Sequence, residues 1–126
     1  MVDRRALRKE PDGDRPQAVC LDHRDAQEYE PDIIAGVQVG EFRQVSTAAE
    51  NALEAGLWRS DPSTEDYVFE VDEVFLVLEG SVEIDLPDTG ETVSMRVGDI
   101  GYFDAGTRSV WRITEPFKKF VVLAKD

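Results

Sequence analysis

Between Gly56 and Leu123 the chain reads as eight short segments of strand character, separated by glycine, proline and other turn residues. They run Gly56–Arg59, Tyr67–Val71, Val74–Leu78, Val82–Leu86, Thr92–Val97, Ile100–Asp104, Ser109–Ile113 and Phe117–Leu123, and no long amphipathic helix interrupts them. Such a chain buries its apolar faces only by packing sheet on sheet or by closing a sheet on itself, so the pattern predicts an all-β sandwich or closed barrel. The clearest local unit is the hairpin in which Pro87-Asp88-Thr89-Gly90 separates Val82/Ile84/Leu86 from Val93/Met95/Val97. Each of those sets alternates with polar neighbours, as strands with one wet face do. Val74-Phe75-Leu76-Val77-Leu78 is apolar throughout and predicts a strand covered on both faces, one cover being a partner subunit.

Upstream the pattern weakens. Residues 1–30 are charged and broken by Pro11, Gly13 and Pro16, and predict an N-terminal arm with at most one short strand near Ala18–Leu21. Such an arm is ordered only when something ties it down, which makes it a candidate dimer-contact strand. Ile33, Ala35, Val37 and Val39 alternate as in one strand, and Ser46–Ala55 predicts a loop or short helix. The expected organisation is an arm over 1–30 and one domain over 31–126, a single core being what 126 residues can bury.

Charge and composition exclude several function classes. The net charge of −13 repels phosphate backbones and anionic lipid surfaces, so neither nucleic acid nor a membrane is an expected partner. Residues 1–15 hold 5 basic and 4 acidic side chains, which leaves the excess acid on the body of the chain. No apolar run approaches the ~18 residues of a membrane span, and the basic N-terminus lacks the apolar stretch of a secretion signal. The lone Cys20 has no partner for an intrachain disulfide, so the cytoplasm is the expected compartment.

Asp72-Glu73, then Leu78-Glu79-Gly80 with six residues between Glu73 and Gly80, resembles the first motif of the cupins. Gly98-Asp99, followed by Phe103-Asp104-Ala105-Gly106 and then Ser109, resembles the second. More narrowly, Gly56-Leu57-Trp58, Asp72-Glu73, Leu78-Glu79-Gly80, Gly98-Asp99, Gly106 with Trp111, and Lys119 resemble the small single-domain cupins related to ureidoglycine aminohydrolase. The resemblance implies a double-stranded β-helix, a jelly-roll barrel with a pocket in its mouth, commonly dimeric. Metal-dependent cupins hold their ion with two histidines and a glutamate from the first motif and a histidine from the second. On that pattern the histidine positions fall on Tyr67, Phe69 and Ser109, and only Glu73 remains of the ligand set. A phenyl ring donates no lone pair, so the sequence predicts no metal and no other cofactor. His23, with Cys20 three residues before it, lies on the arm without the further ligands that tetrahedral zinc needs.

What remains is an aromatic pocket with one acid. If Glu73 points inward, alternation puts Tyr67 and Phe69 on the same side, with Ser109, Trp111 and Ile113 opposite, and the resemblance brings Trp58 near. The candidate ligand pocket is therefore Trp58, Tyr67, Phe69, Glu73, Ser109 and Trp111, with Glu73 and Tyr67 the candidate catalytic pair. An acid walled by rings suits general acid–base work. In the plainer alternative Arg108, Arg112 or Lys119 neutralises Glu73 and the pair is structural. Three functions stay open: a metal-independent homodimeric cupin binding a small polar metabolite, a metal-independent isomerase, lyase or hydrolase using Glu73, and a scaffold whose barrel is filled. Tyr102 is a further aromatic whose direction the pattern leaves undetermined.

Overall fold

The computed structural model describes residues 18–125 and contains ten strands: β1 (Glu30–Ile34), β2 (Val37–Ala48), β3 (Leu53–Ser60), β4 (Ser63–Val68), β5 (Asp72–Glu79), β6 (Ser81–Leu86), β7 (Glu91–Arg96), β8 (Ile100–Phe103), β9 (Arg108–Ile113) and β10 (Phe117–Ala124). They form a six-stranded sheet in the order β1-β2-β3-β10-β5-β8 and a four-stranded sheet in the order β4-β9-β6-β7, paired antiparallel throughout. The two inner faces meet in one core. Phe69, Phe75, Val77, Ile84 and Phe117 are wholly buried there, and Phe103 stacks between Phe69 at 4.6 Å and Phe75 at 5.8 Å. The architecture is the double-stranded β-helix that the resemblance implies, within the all-β class that the strand pattern predicts. No helix of the described residues is long and apolar enough to cross a membrane.

Several local expectations are corrected. Ile33–Val39 is two strands, because Ala35 (φ 52°) and Gly36 (φ 81°) turn the chain back between β1 and β2. The 46–55 stretch is neither loop nor helix for most of its length. Strand β2 runs on to Ala48, three residues of positive φ at Ala49, Glu50 and Asn51 make the turn, and β3 starts at Leu53. Strand β4 begins at Ser63 and ends at Val68, so Phe69 lies just beyond it, held by Phe69 N–H to the Thr107 carbonyl at 2.9 Å and by Gly106 N–H to the Phe69 carbonyl. Ala18–Leu21 forms no strand.

Within this chain β5 is not covered on both faces. Glu73, Phe75 and Val77 are buried on the inner side, while Val74 on the outer side stays 40 % exposed beside Ile100 and Tyr102 of β8. The described part of the arm lies instead along the outer face of β2, β3 and β10. Arg43 donates to the Gln27 carbonyl, the Arg59 guanidinium lies 3.7 Å from the centre of the Tyr29 ring, and Lys118 donates to the His23 carbonyl at 3.1 Å. The expected boundary at 30/31 falls inside β1, which is a strand of the large sheet.

Two glycines matter to the interior. A Cβ at Gly56 would come within 2.3 Å of the Phe42 ring, so its lack of a side chain lets that ring lie across β3. At the β5–β6 turn, Gly80 has φ +76° and its missing Cβ would meet the Pro116 carbonyl oxygen at 2.3 Å.

Candidate functional site

Alternation along three strands delivers the site. Glu73 of β5, Lys119 of β10 and Trp111 of β9 all point inward, and Lys119 Nζ donates to Glu73 Oε2 at 2.6 Å. Glu73 is 3 % and Lys119 6 % exposed, so both charges are withdrawn from water and each is the other's compensation. The ammonium also lies 4.5 Å from the centre of the Phe75 ring, 4.6 Å from Trp111 and 5.2 Å from Trp58, distances at which the ring faces attract a cation. Of the three cations the sequence offers Glu73, Lys119 is the one that reaches it. Arg108 pairs with Asp88 at 2.9 Å, and Arg112 pairs with Glu83 and Asp85 on the outer face of the small sheet. Glu73 is therefore not a solitary acid.

A cavity of about 620 Å³ opens beside this pair. Trp58, Tyr67, Glu73, Trp111 and Lys119 line its interior, and β1 with the β4 end of the small sheet forms its rim, where Asp32, Glu65, Asp66 and Glu70 stand. No ion pair joins those four rim acids to a cation among the described residues. Glu54, also on the wall, is neutralised by Lys125 at 2.5 Å and accepts from Gln44 at 2.8 Å. Burial alone would raise its pKa, but these two donors together hold it below the usual carboxylate value. A second depression, of about 670 Å³, lies between the β2 and β4 ends and the buried Lys118, away from Glu73.

Each predicted pocket residue has a definite place. Trp58 donates its indole N–H to Asp32 Oδ2 at 2.9 Å, which ties β3 to the rim strand β1. Trp111 meets Trp58 edge-on at 6.2 Å and donates its indole N–H to Ser109 Oγ at 3.0 Å. Ser109 in turn donates to the Tyr67 carbonyl at 2.7 Å, so its hydroxyl is committed to holding Trp111 against β4. Ser109 and Phe69 lie behind the cavity wall rather than on it, Phe69 in the core and in T-shaped contact with Tyr67 at 4.8 Å. Tyr67 is on the wall. Burial first, then the carboxylates of Glu73, Glu70 and Asp32, push its phenol well above the ordinary tyrosine pKa, so it keeps its proton. Tyr102 points outward and donates to Asp104 at 2.5 Å.

The residues do not fit the histidine-type metal centre of the fold. Phe69 is a buried hydrocarbon ring, Ser109 has its hydroxyl engaged twice, and Glu73 faces the Lys119 ammonium at the point where it would face an ion. Among the described residues no three His, Cys, Asp or Glu side chains converge as a metal group would require. Asp32, Glu65, Asp66 and Glu70 carry no sequence signal as site residues. Asp32 reaches the rim only because the Ala35-Gly36 turn folds β1 back over the sheet.

A barrel of two antiparallel sheets with an inward acid on β5 and a cavity at one end defines a cupin. More specifically, residues 47–120 match the EutQ-like cupin domain, and the chain belongs to that family. Among solved structures it resembles the ethanolamine utilization protein Q of Salmonella typhimurium at 20 % identity, over 68 % of each chain with a TM-score of 0.59. The EutQ protein of Clostridium difficile is similar at 18 % identity, over 74 % of this chain and 75 % of that one, with a TM-score of 0.61. A protein of unknown function from Acidithiobacillus ferrooxidans is 18 % identical over 75 % and 85 % of the two chains, also with a TM-score of 0.61. These likenesses carry the fold. No curated protein matches the chain.

Proposed function

We propose that this cupin binds a small polar metabolite in its barrel, without a metal. The observation that carries the reading is the open cavity of about 620 Å³ beside the buried Lys119–Glu73 pair. An unfilled interior lined by aromatic faces and a few convergent polar groups is the ordinary form of a ligand site, and it weighs against a scaffold with a packed barrel. Because Lys119 already satisfies Glu73, a cationic group on the ligand would be met by the rim acids Asp32 and Glu70 instead. The test is a thermal-shift screen of metabolites on the purified chain, with calorimetry on the hits. Binding that is lost in Trp58→Ala and Tyr67→Ala variants, which strip the aromatic wall, supports the reading, and no binding across neutral, cationic and anionic metabolites overturns it.

A second reading, catalysis, is favoured by one arrangement: a hydrogen-bonded ion pair at 2.6 Å and a phenol that keeps its proton on the same cavity wall. In this reading Glu73 is the acid–base group and Tyr67 the proton donor. A Glu73→Gln variant that keeps ligand but loses turnover identifies chemistry. We further propose a homodimer, with the exposed Val74, Ile100 and Tyr102 on the outer face of β5 and β8 at its contact, and a cytoplasmic location, in keeping with the unpaired Cys20. The narrower likeness to the ureidoglycine aminohydrolase type rests on the spaced motif residues and carries no claim of amide hydrolysis here.

A further inference from the structure

We infer that Lys119 is a nucleophile that captures a small aldehyde or ketone as an imine, with Glu73 carrying the proton and Tyr67 donating to the carbonyl oxygen. The inference rests on the reading that the barrel cavity binds a small metabolite, and it names the class of that metabolite.

Lys119 differs from its described neighbours in kind. Lys118, though equally buried, pairs with Glu79 at 3.0 Å away from this cavity, and Lys125 is half-exposed and pairs with the wall carboxylate Glu54 at 2.5 Å. The Lys119 amine is buried yet stands on the cavity wall, with one carboxylate oxygen as its conventional acceptor and aromatic faces on its other sides. Ring faces hold a cation without occupying a lone pair or blocking approach along the cavity as further carboxylates would. Glu73 and the rings favour the ammonium, so the amine is released only as a carbonyl compound arrives, and the hydrogen bond to Glu73 supplies the acceptor for the proton it then sheds.

The step balances with these groups alone. Lys119 gives one proton to Glu73, and the freed lone pair forms a C–N bond to the carbonyl carbon as the C=O π pair moves to oxygen. The Tyr67 phenol steadies that oxygen by hydrogen bonding while a proton passes from nitrogen to it, giving the neutral carbinolamine. Glu73 returns its proton to the hydroxyl, the C–O bond breaks, water leaves, and the nitrogen lone pair closes the C=N bond. The product is a protonated imine. It has the same single positive charge as the ammonium it replaces, so Glu73 and the three rings hold it as they held Lys119.

The rim selects among carbonyl compounds. Asp32, Glu65, Asp66 and Glu70 surround the entrance, so a carboxylate-bearing substrate such as a 2-oxo acid is repelled, and a neutral or amine-bearing aldehyde or ketone is admitted.

The test treats the full chain with propanal and cyanoborohydride at neutral pH and maps the propylated lysines by mass spectrometry. Expected is labelling of Lys119 at least about tenfold faster than of the more exposed Lys125, with pyruvate giving no such preference. A Glu73→Gln variant should slow Lys119 labelling and leave Lys125 labelling unchanged. Lys119 labelled no faster than Lys125 in the unmodified chain overturns the inference, whatever the variant's folding, and preferential labelling by pyruvate overturns the ligand class. A metabolite that binds by calorimetry while Lys119 resists reductive trapping sinks the imine and leaves the binding reading standing. Absence of both sinks the two together.

Discussion

Lys119 and Glu73 meet on the inner face of the large sheet although neither stands opposite the other in the pairing of β10 with β5. Lys119 pairs with Val77 and Glu73 with Leu123, so the long lysine side chain runs along the strands to reach the carboxylate at 2.6 Å. The contact depends on the register of β10 against β5, and it places a complete ion pair in a region of low polarity where each half is costly without the other.

Removing one half should therefore be worse than removing both. Glu73→Leu alone strands the Lys119 charge and is expected to cost about 3–5 kcal/mol in urea unfolding. The combination Glu73→Leu with Lys119→Met should recover most of that loss. A double variant as unstable as the single one would show that the pair is not the source of the cost.

Ser109 joins Trp111 to β4 through one hydroxyl, at 3.0 Å and 2.7 Å. Ser109→Ala leaves the Trp111 indole N–H and the Tyr67 carbonyl without that partner, and should destabilise by about 1–3 kcal/mol with a change in tryptophan fluorescence. Unchanged stability and emission would count against a positioning role.

Tyr67 holds its proton more tightly folded than unfolded, because burial and then Glu73, Glu70 and Asp32 oppose the phenolate. A raised pKa adds stability that is fully present below the unfolded value of about 10 and is lost as pH climbs from there through the folded value. The ultraviolet difference titration between the native chain and Tyr67→Phe should show no Tyr67 phenolate at about pH 10, and its appearance should coincide with alkaline unfolding. Ionisation at or below that pH in the folded chain is the contrary result.

The Gly80 turn tests the backbone. Gly80→Ala puts a side chain at φ +76° against the Pro116 carbonyl and should cost more than about 1 kcal/mol, whereas Gly90→Ala, also at positive φ but with open space around it, should cost less. Equal losses in thermal unfolding would mean that the clash relaxes freely.

Replacing both Val74 and Ile100 with glutamate on the outer sheet face should leave the circular dichroism spectrum unchanged and convert the proposed homodimer to monomer in light scattering. A native chain that is monomeric at micromolar concentration defeats the dimer outright.

What was legible in the residues was what local chemistry decides. The β6–β7 hairpin follows from alternation and the Pro87–Gly90 turn, and its register runs from Ser81 opposite Arg96 to Leu86 opposite Glu91. The aromatic surroundings of Glu73 were legible for the same reason, since period-two alternation carries Trp111 and Tyr67 inward. The turn at Ala49–Asn51 was not, because alanine and glutamate favour helices and only the pairing of β2 with β3 forces them to positive φ. Long-range partners were legible only as alternatives: Lys119 stood beside Arg108 and Arg112 as a possible partner of Glu73, and nothing pointed from Trp58 to Asp32. Asp32 with Trp58 and Lys119 with Glu73 are separated by 26 and 46 residues, and only folded register brings them together. Phe69 and Ser109 were rightly sent inward, but side-chain direction alone does not separate a cavity wall from the packing behind it.

The bond between Asp32 and Trp58 has a consequence for how such a protein diversifies. The stretch that identifies the family begins at residue 47, while the strand over the entrance is Glu30–Ile34. Of the four rim acids Asp32 alone lies outside that stretch, so changes in the β1–β2 hairpin reshape the entrance while Trp58, Tyr67, Glu73, Trp111 and Lys119 of the cavity wall stay in place.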